Sequence, residues 1–371
     1  MMGKTILMAG AAAVLVAMTA APASAEAWWE STKISGRMYY DFSNINASST
    51  ATGGVKTDST SNGTSFDIKR FYVGIDHKFN DIFSANITTD FTYDTTAGAS
   101  QLYIKKAYLE ANLSPMLDIR LGSTDLPWIP FAEGVYGYRY VENTLIDRTK
   151  FGTSADWGVH FKGAFANGVV DYAVSVVNGN GYKKPGMGLG TNRTDSVDVE
   201  GRVSAHLDDF VVAVGGYSGK LGAAHGTATS HTANRLDALA AYVGHGARIG
   251  VEYFNANDWN SVPTSKGTSD RDDGYSAFAS YDFTPEWAVF GRYDWVNPKT
   301  TNSTTHLVTN DPKDNYFNVG IQYTPFKMVN LALVYKHDKA DHGTLGTSNG
   351  TIGGSASGSY DEVGLFGNFQ W

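Results

Sequence analysis

The stretch Phe83–Asp94, FSANITTDFTYD, sets Phe83, Ala85, Ile87, Thr89, Phe91 and Tyr93 on one parity and Ser84, Asn86, Thr88, Asp90, Thr92 and Asp94 on the other. A period of two marks a strand with one apolar and one polar face. The same alternation recurs in ISGRMYYDF, where Ile34, Gly36, Met38, Tyr40 and Phe42 oppose Arg37 and Asp41. RFYVGIDHKF and WAVFGRYDW repeat it, and so does the closing YDEVGLFGNFQW, with Val363, Leu365, Phe369 and Trp371 opposing Glu362, Asn368 and Gln370.

Read this way, the chain predicts strands near 31–42, 66–79, 82–94, 101–113, 116–125, 154–166, 168–179 and 194–207. Eight more fall near 209–219, 235–244, 247–257, 273–284, 286–297, 314–324, 328–338 and 359–371. The pair at 209–219 and 235–244 is the least regular, being apolar on both parities. Tight links at Asn80-Asp81, Ser114-Pro115, Asn167-Gly168, Asp208-Asp209, His245-Gly246, Pro285-Glu286 and Pro325-Phe326 alternate with long polar segments. Turn residues at short links are hairpin chemistry. Sixteen antiparallel strands with short turns at one end and long loops at the other predict an all-β transmembrane barrel. An even count brings the first and last strands together, so the cylinder closes without an edge. A β-sandwich would need a second sheet to cover the apolar faces.

Composition agrees with a barrel. Tyr (21), Phe (19) and Trp (8) make up 13% of the residues and Gly contributes 41, while mean hydropathy is −0.25. No stretch after the N-terminal segment is apolar enough for a spanning helix, and only every second barrel residue meets lipid. Cysteine is absent, so strand pairing and size must supply the stability.

Residues 1–25 carry one charge, Lys4, then a small apolar run and an A-x-A site at Ala23 and Ala25. This is a secretory signal peptide, leaving a barrel over 26–371. Its removal shifts the formal charge from −8 to −9, because Lys4 is lost. An acidic chain argues against nucleic acid as a partner. The first strand starts close to the cleavage site, leaving no room for a plug domain, and sixteen strands leave an aqueous lumen.

Parity directs Arg37, Arg70, Lys106, Arg120, Lys162, Arg202 and Arg292 inward, with Lys78, Arg248 and Lys336 and acids of comparable number. The segment Leu126–Thr153, LPWIPFAEGVYGYRYVENTLIDRTKFGT, is aromatic where the other loops are rich in Ser and Gly. A loop of that length and composition is expected to fold inward and narrow the pore. Tyr136, Tyr138 and Tyr140 would pack it, and Glu133, Arg139, Arg148 and Lys150 would stand at the constriction. Lys69-Arg70 and Lys105-Lys106 add basic pairs near the outer strand ends, a cluster that attracts anions.

No catalytic constellation emerges. The nine His are scattered and no G-x-S-x-G is present, so an enzyme is not expected. SDRDDG, Ser269–Gly274, lacks the full calcium-loop pattern and reads as a solvated loop, and no cofactor or metal is implied. The remaining alternative is a structural or adhesive barrel with an occluded channel.

The stretches SFDIKRFYVGIDHKFNDIFSANITTDF, LYIKKAYLEANL, LDIRLGSTDLPW and DWGVHFKGAFANGVVDYAVSVVNGNGY resemble the phosphate-selective porin family of Gram-negative outer membranes over about 66–182. The resemblance implies a trimer of sixteen-stranded barrels, an inward third loop, and a basic ladder that passes inorganic anions or other small hydrophilic solutes. That family carries a lysine before the proline of the R-x-G segment, where this chain has Asp125. Outer-membrane barrels also resemble one another in a terminal aromatic that assembly machinery reads, here Trp371.

Overall fold

A computed structural model describes residues 29–94, 96–185, 193–229, 231–262, 268–302 and 304–371. The signal peptide expected at 1–25 lies outside the described residues. Sixteen long strands form one closed antiparallel sheet. They are β1 (Thr32–Thr50), β2 (Gly63–Lys78), β3 (Phe83–Asp94), β4 (Ala99–Ser114), β5 (Leu117–Asp125), β6 (Ala155–Phe165), β7 (Val170–Val177) and β8 (Asp198–Leu207). There follow β9 (Phe210–Gly219), β10 (Ala233–Gly244), β11 (Ala247–Asn257), β12 (Thr268–Asp282), β13 (Trp287–Asn302), β14 (Lys313–Phe326), β15 (Val329–Thr347) and β16 (Gly350–Gln370). Two three-residue strands, Lys56–Asp58 and Val308–Asn310, lie in the loops.

β1 and β16 close the cylinder through a register from Arg37–Gln370 to Thr50–Ser357. Trp371 extends the seam, exchanging backbone hydrogen bonds of 3.1 Å with Gly36. Its indole crosses Gly36 so closely that a β-carbon there would fall 2.0 Å from the ring. The terminal aromatic therefore needs a glycine on the first strand.

Several strands outrun their expected ends. KADHGTLGTSNGTIGGSASGS, expected as a loop, continues the β15–β16 ladder, with Leu345 opposite Ile352. Alternating hydrophobicity fades there because lipid no longer selects it, while backbone pairing persists. Ser269–Gly274 belongs to β12 instead of a solvated loop, and Asp270 and Asp272 are buried. Their carboxylates accept hydrogen bonds from the backbone of Asn260 (2.8 Å) and Lys299 (3.0 Å).

Outward positions hold an exposed apolar band that includes Val203, Val214, Val251, Leu333, Val363 and Leu365. Tyr281, Phe283, Trp287, Tyr323 and Trp371 ring the short-turn end. Apolar side chains this exposed around a whole cylinder match a lipid-facing surface with an interfacial girdle. No helix among the described residues is long and apolar enough to cross a membrane.

The buried core lies inside the barrel. Phe254, Phe278, Phe290, Val334 and Phe366 occupy inward positions, and with Ala213, Leu239 and Ala241 they form an apolar inner wall. Gly250 and Gly320 sit beside Phe278 and Phe290, leaving no room for a β-carbon, so the rings lie flat on the sheet. This wall explains the double apolarity of β9 and β10: their outer face meets the apolar band and their inner face receives the third loop.

Candidate pore chamber

The third loop leaves β5 at Asp125 and rejoins the barrel at β6. It folds into α1 (Ile129–Tyr136) and α2 (Leu145–Arg148). Pro130 suits the first turn of α1, and Gly137 ends it in the left-handed conformation at φ 84°. Trp128 is completely buried, its indole N–H donating to Glu252 (2.8 Å) and its backbone N–H to Glu200 (2.9 Å). Arg202 donates to the Pro127 carbonyl (3.0 Å), Arg248 to that of Val135 (3.0 Å) and Arg235 to that of Phe151 (2.5 Å). Three wall arginines thus satisfy loop carbonyls that would otherwise be stranded. Trp128→Ala is expected to cost about 3–5 kcal/mol, read as a lower denaturant midpoint for barrel unfolding.

The tyrosines of the loop face the wall. Tyr136 packs edge-on against Phe278 with centroids 5.5 Å apart, and Tyr138 stacks on Phe290 at 4.1 Å. Tyr140 donates to Gln322 (2.7 Å). Arg148 is fully buried among Asp294 (2.8 Å), Asp314 (2.7 Å) and Asp338 (3.0 Å), so it joins the loop to β13, β14 and β15 and is not presented to the lumen. Arg292 is buried beside it against Asp294 (2.6 Å) and under the Tyr136 ring. Glu142 reaches Lys336 (3.4 Å) and Ser348 (2.7 Å). Burial alone would raise the Glu142 pKa, but the ammonium groups of Lys336 and Lys69 and the Ser348 hydroxyl hold it well below the usual carboxylate range. Its contribution to stability is therefore full above about pH 4.5 and is lost only as pH falls through the lowered value.

Because the loop lies on the β8–β16 side, the remaining lumen is bounded by β1–β7. Here two bulges matter. The β1–β2 register slips between Tyr39 and Tyr40, passing from Arg70 to Ile68, which leaves Lys69 as the extra residue. The β3–β4 register slips between Thr88 and Thr89, passing from Lys106 to Ile104, which leaves Lys105 as the extra residue. A bulge turns two successive side chains to one face, so both basic pairs point inward. Alternation alone assigns only one member of each pair to the lumen.

Lys69 reaches Asp41 (3.6 Å) and Glu362 (3.5 Å), and Arg70 reaches Asp90 (3.3 Å). Lys105 is buried against Tyr72, with its ammonium 3.3 Å from the hydroxyl. Lys106 pairs with Asp125. Toward the short-turn end, Arg120 meets Glu110 (3.1 Å) and Lys162 meets Asp118 (3.0 Å). Arg37 donates to Gln370 (2.9 Å) near the closing seam, and Arg202 pairs with Asp171 (2.6 Å).

Between loop and wall lies a cavity of about 490 Å³. It brings together Arg139 and Lys150 of the loop, Lys69 and Arg70 of β2, and Lys183 of the next long loop. Asp67, Glu142 and Asp147 are the acids on its lining, beside Tyr39, Tyr140, Asn143 and Ser348. Arg139 is held by Glu133 and by Asp147 (3.3 Å). Of the constriction residues expected from sequence, Arg139 and Lys150 line this chamber, Glu133 orients Arg139, and Arg148, Tyr136 and Tyr138 hold the loop down. Lys183 carries no sequence signal of its own. No group of three or more metal-ligating side chains occurs among the described residues.

No protein-family model matches the chain, and no curated protein matches it. Solved structures do. The anion-selective porin of Comamonas acidovorans is similar at 12% identity and a TM-score of 0.62, over 91% of this chain and 100% of that one. The outer membrane channel DcaP of Acinetobacter baumannii gives 13% and 0.60, over 92% and 97%. OmpT, an outer-membrane protein of Vibrio cholerae, gives 14% and 0.58, over 92% and 97%. At such identities the likeness is one of fold, and the chain has the porin-like sixteen-stranded barrel.

Proposed function

We propose that this chain is an outer-membrane porin, exported by its leader and assembled through its last strand, whose water-filled channel passes small hydrophilic solutes with a preference for anions. The observation that carries this reading is the one-sided seating of the third loop. Arg148 on the loop side is 0% exposed, whereas Lys162 on the opposite wall keeps 46% of its side chain exposed inside the barrel. Half-exposed charges within a closed cylinder imply solvent there. The chamber lining carries Lys69, Arg70, Arg139, Lys150 and Lys183 against Asp67, Glu142 and Asp147, a formal excess of two positive charges. Such a field raises the local anion concentration. The resemblance to phosphate-selective porins makes inorganic phosphate the first solute to try.

A second reading, a structural barrel with an occluded lumen, draws on the tightly packed aromatic underside of the loop. Liposome swelling separates the two. Proteoliposomes are expected to swell in small neutral sugars, and added phosphate is expected to slow chloride flux. Proteoliposomes impermeable to every small solute would favour the occluded barrel.

A further inference from the structure

The outward positions of β12 and β13 change character in order up the wall. From the short-turn end they run Tyr281, Ala279, Ala277 and Tyr275 on β12, and Trp287, Val289, Gly291, Tyr293 and Trp295 on β13. Tyr275 and Trp295 are register partners and stack with ring centroids 5.0 Å apart. The next outward pair is Asp273 with Asn297, and the one after it is Arg271 with Lys299. A mainly apolar run thus gives way to an aromatic pair and then to two cations.

Arg271 and Lys299 are both exposed and stand directly opposite each other. No other register pair among the described residues joins two cations. Like charges directly opposite on neighbouring strands are destabilising. Neither cation makes an ion pair among the described residues. Lys313 of β14 adds a third ammonium beside them, donating to Asn297 (3.3 Å). Asp273 and Asp311, the latter 4.0 Å from Lys313, are the nearby acids, so the patch keeps a formal excess of one positive charge. The strand is held at this level, for the Lys299 backbone N–H donates to Asp272 (3.0 Å). The repulsion is therefore built into the pairing, and a bridging anion would relieve it.

Depth selects the anion. Lys299 lies twelve residues beyond Trp287. For strands rising ~3.3 Å per residue at ~45° tilt that is about 28 Å, against an apolar band ~25 Å tall. The two cations thus stand just past the hydrocarbon, at the level of lipid headgroups in the leaflet on the long-loop side. Outward parity keeps them from solutes in the lumen. A free anion would meet only the charges, whereas a lipid phosphate also brings its tails to the aromatic pair and the apolar run beneath. Basic clusters at this level attract anionic headgroups, and a guanidinium can hold phosphate through two parallel hydrogen bonds.

We propose that Arg271 and Lys299, with Lys313 beside them, seat the phosphate of a lipid headgroup from the leaflet at the long-loop end, its acyl chains lying along β12 and β13. The proposal rests on the membrane-barrel reading, and its test does not involve conduction. Folded wild type and an Arg271→Gln/Lys299→Gln variant are reconstituted in phosphatidylcholine vesicles. The vesicles carry a trace of radiolabelled lipid A, a phosphorylated glucosamine lipid, or the same lipid stripped of phosphate. Label retained by the protein after detergent extraction reports binding. Wild type is expected to retain the phosphorylated lipid, and the double variant to hold it about 30-fold less tightly, at ~5-fold per cation. Lys339→Gln, whose ammonium already pairs with Asp341 (2.9 Å), is expected to behave as wild type. Arg271→Gln alone, expected to bind ~5-fold more weakly, serves if the double variant fails to fold. Equal retention by variant and wild type, equal retention of the phosphate-free lipid, or displacement by equimolar inorganic phosphate would overturn the proposal. The chain has no cysteine, so a nitroxide can be placed at Val251→Cys, on the exposed apolar band. Absence of lipid contact there would overturn the membrane reading instead.

Discussion

Arg148→Ala is expected to destabilise the barrel by about 3–5 kcal/mol and to raise single-channel conductance. The guanidinium is wholly buried and receives one carboxylate from each of three consecutive strands, Asp294, Asp314 and Asp338, with the Tyr316 ring 4.5 Å beneath it. One oxygen each of Asp314 and Asp338 already lacks a hydrogen-bond partner. Deleting the guanidinium leaves the cluster with Arg292 as its remaining cation, and the site must take up protons or water. Either change loosens α2 from the wall and enlarges the lumen. Arg139→Ala, at a partly exposed pair, should cost far less. Thermal unfolding and bilayer recordings of both variants check this. An Arg148 variant with wild-type unfolding and conductance would contradict the buried attachment.

The triple change Arg139→Gln, Lys150→Gln and Lys183→Gln takes the chamber from two excess positive charges to one excess negative charge. The anion-to-cation permeability ratio is expected to fall by about an order of magnitude, since cleft fields of this kind alter local ion concentrations by 10-fold or more. Lys150 and Lys183 are exposed, and the acids that Arg139 leaves, Glu133 and Asp147, are partly solvated. The barrel should therefore tolerate all three changes. Reversal potentials under a salt gradient, recorded beside Arg148→Ala, check the result. A ratio that responds to Arg148→Ala but not to the triple change would place the selective charges elsewhere.

The barrel was legible because lipid and water impose a strict alternation that any single strand displays, as Phe83–Asp94 does. The destination of the third loop was also written in the sequence, in inward positions that break the rule: Phe254, Phe278, Phe290, Val334 and Phe366 are apolar where a lumen calls for polar residues. Within the closing stretch Glu362–Trp371, Phe366 is the one large apolar residue on the polar parity. What alternation could not carry was any event that changes parity. The bulges at Lys69 and Lys105 turn paired cations inward, yet a bulge leaves no periodic trace in a single chain. Nor does spacing distinguish a cation facing solvent from one facing buried acids, which is why Arg148 and Lys150 looked alike two residues apart. The early end of the β2–β3 ladder at Val73–Thr89 is a third case, for Asp90 fits the polar parity while its carboxylate takes the Phe71 backbone N–H.

The most direct test of the channel is a planar-bilayer recording of the purified, folded chain under a potassium chloride gradient. Stable, ohmic openings with a reversal potential on the anion-selective side are predicted. Folded protein that inserts and shows no openings, or openings selective for cations, would contradict a water-filled lumen bounded by the Lys69-Arg70 wall.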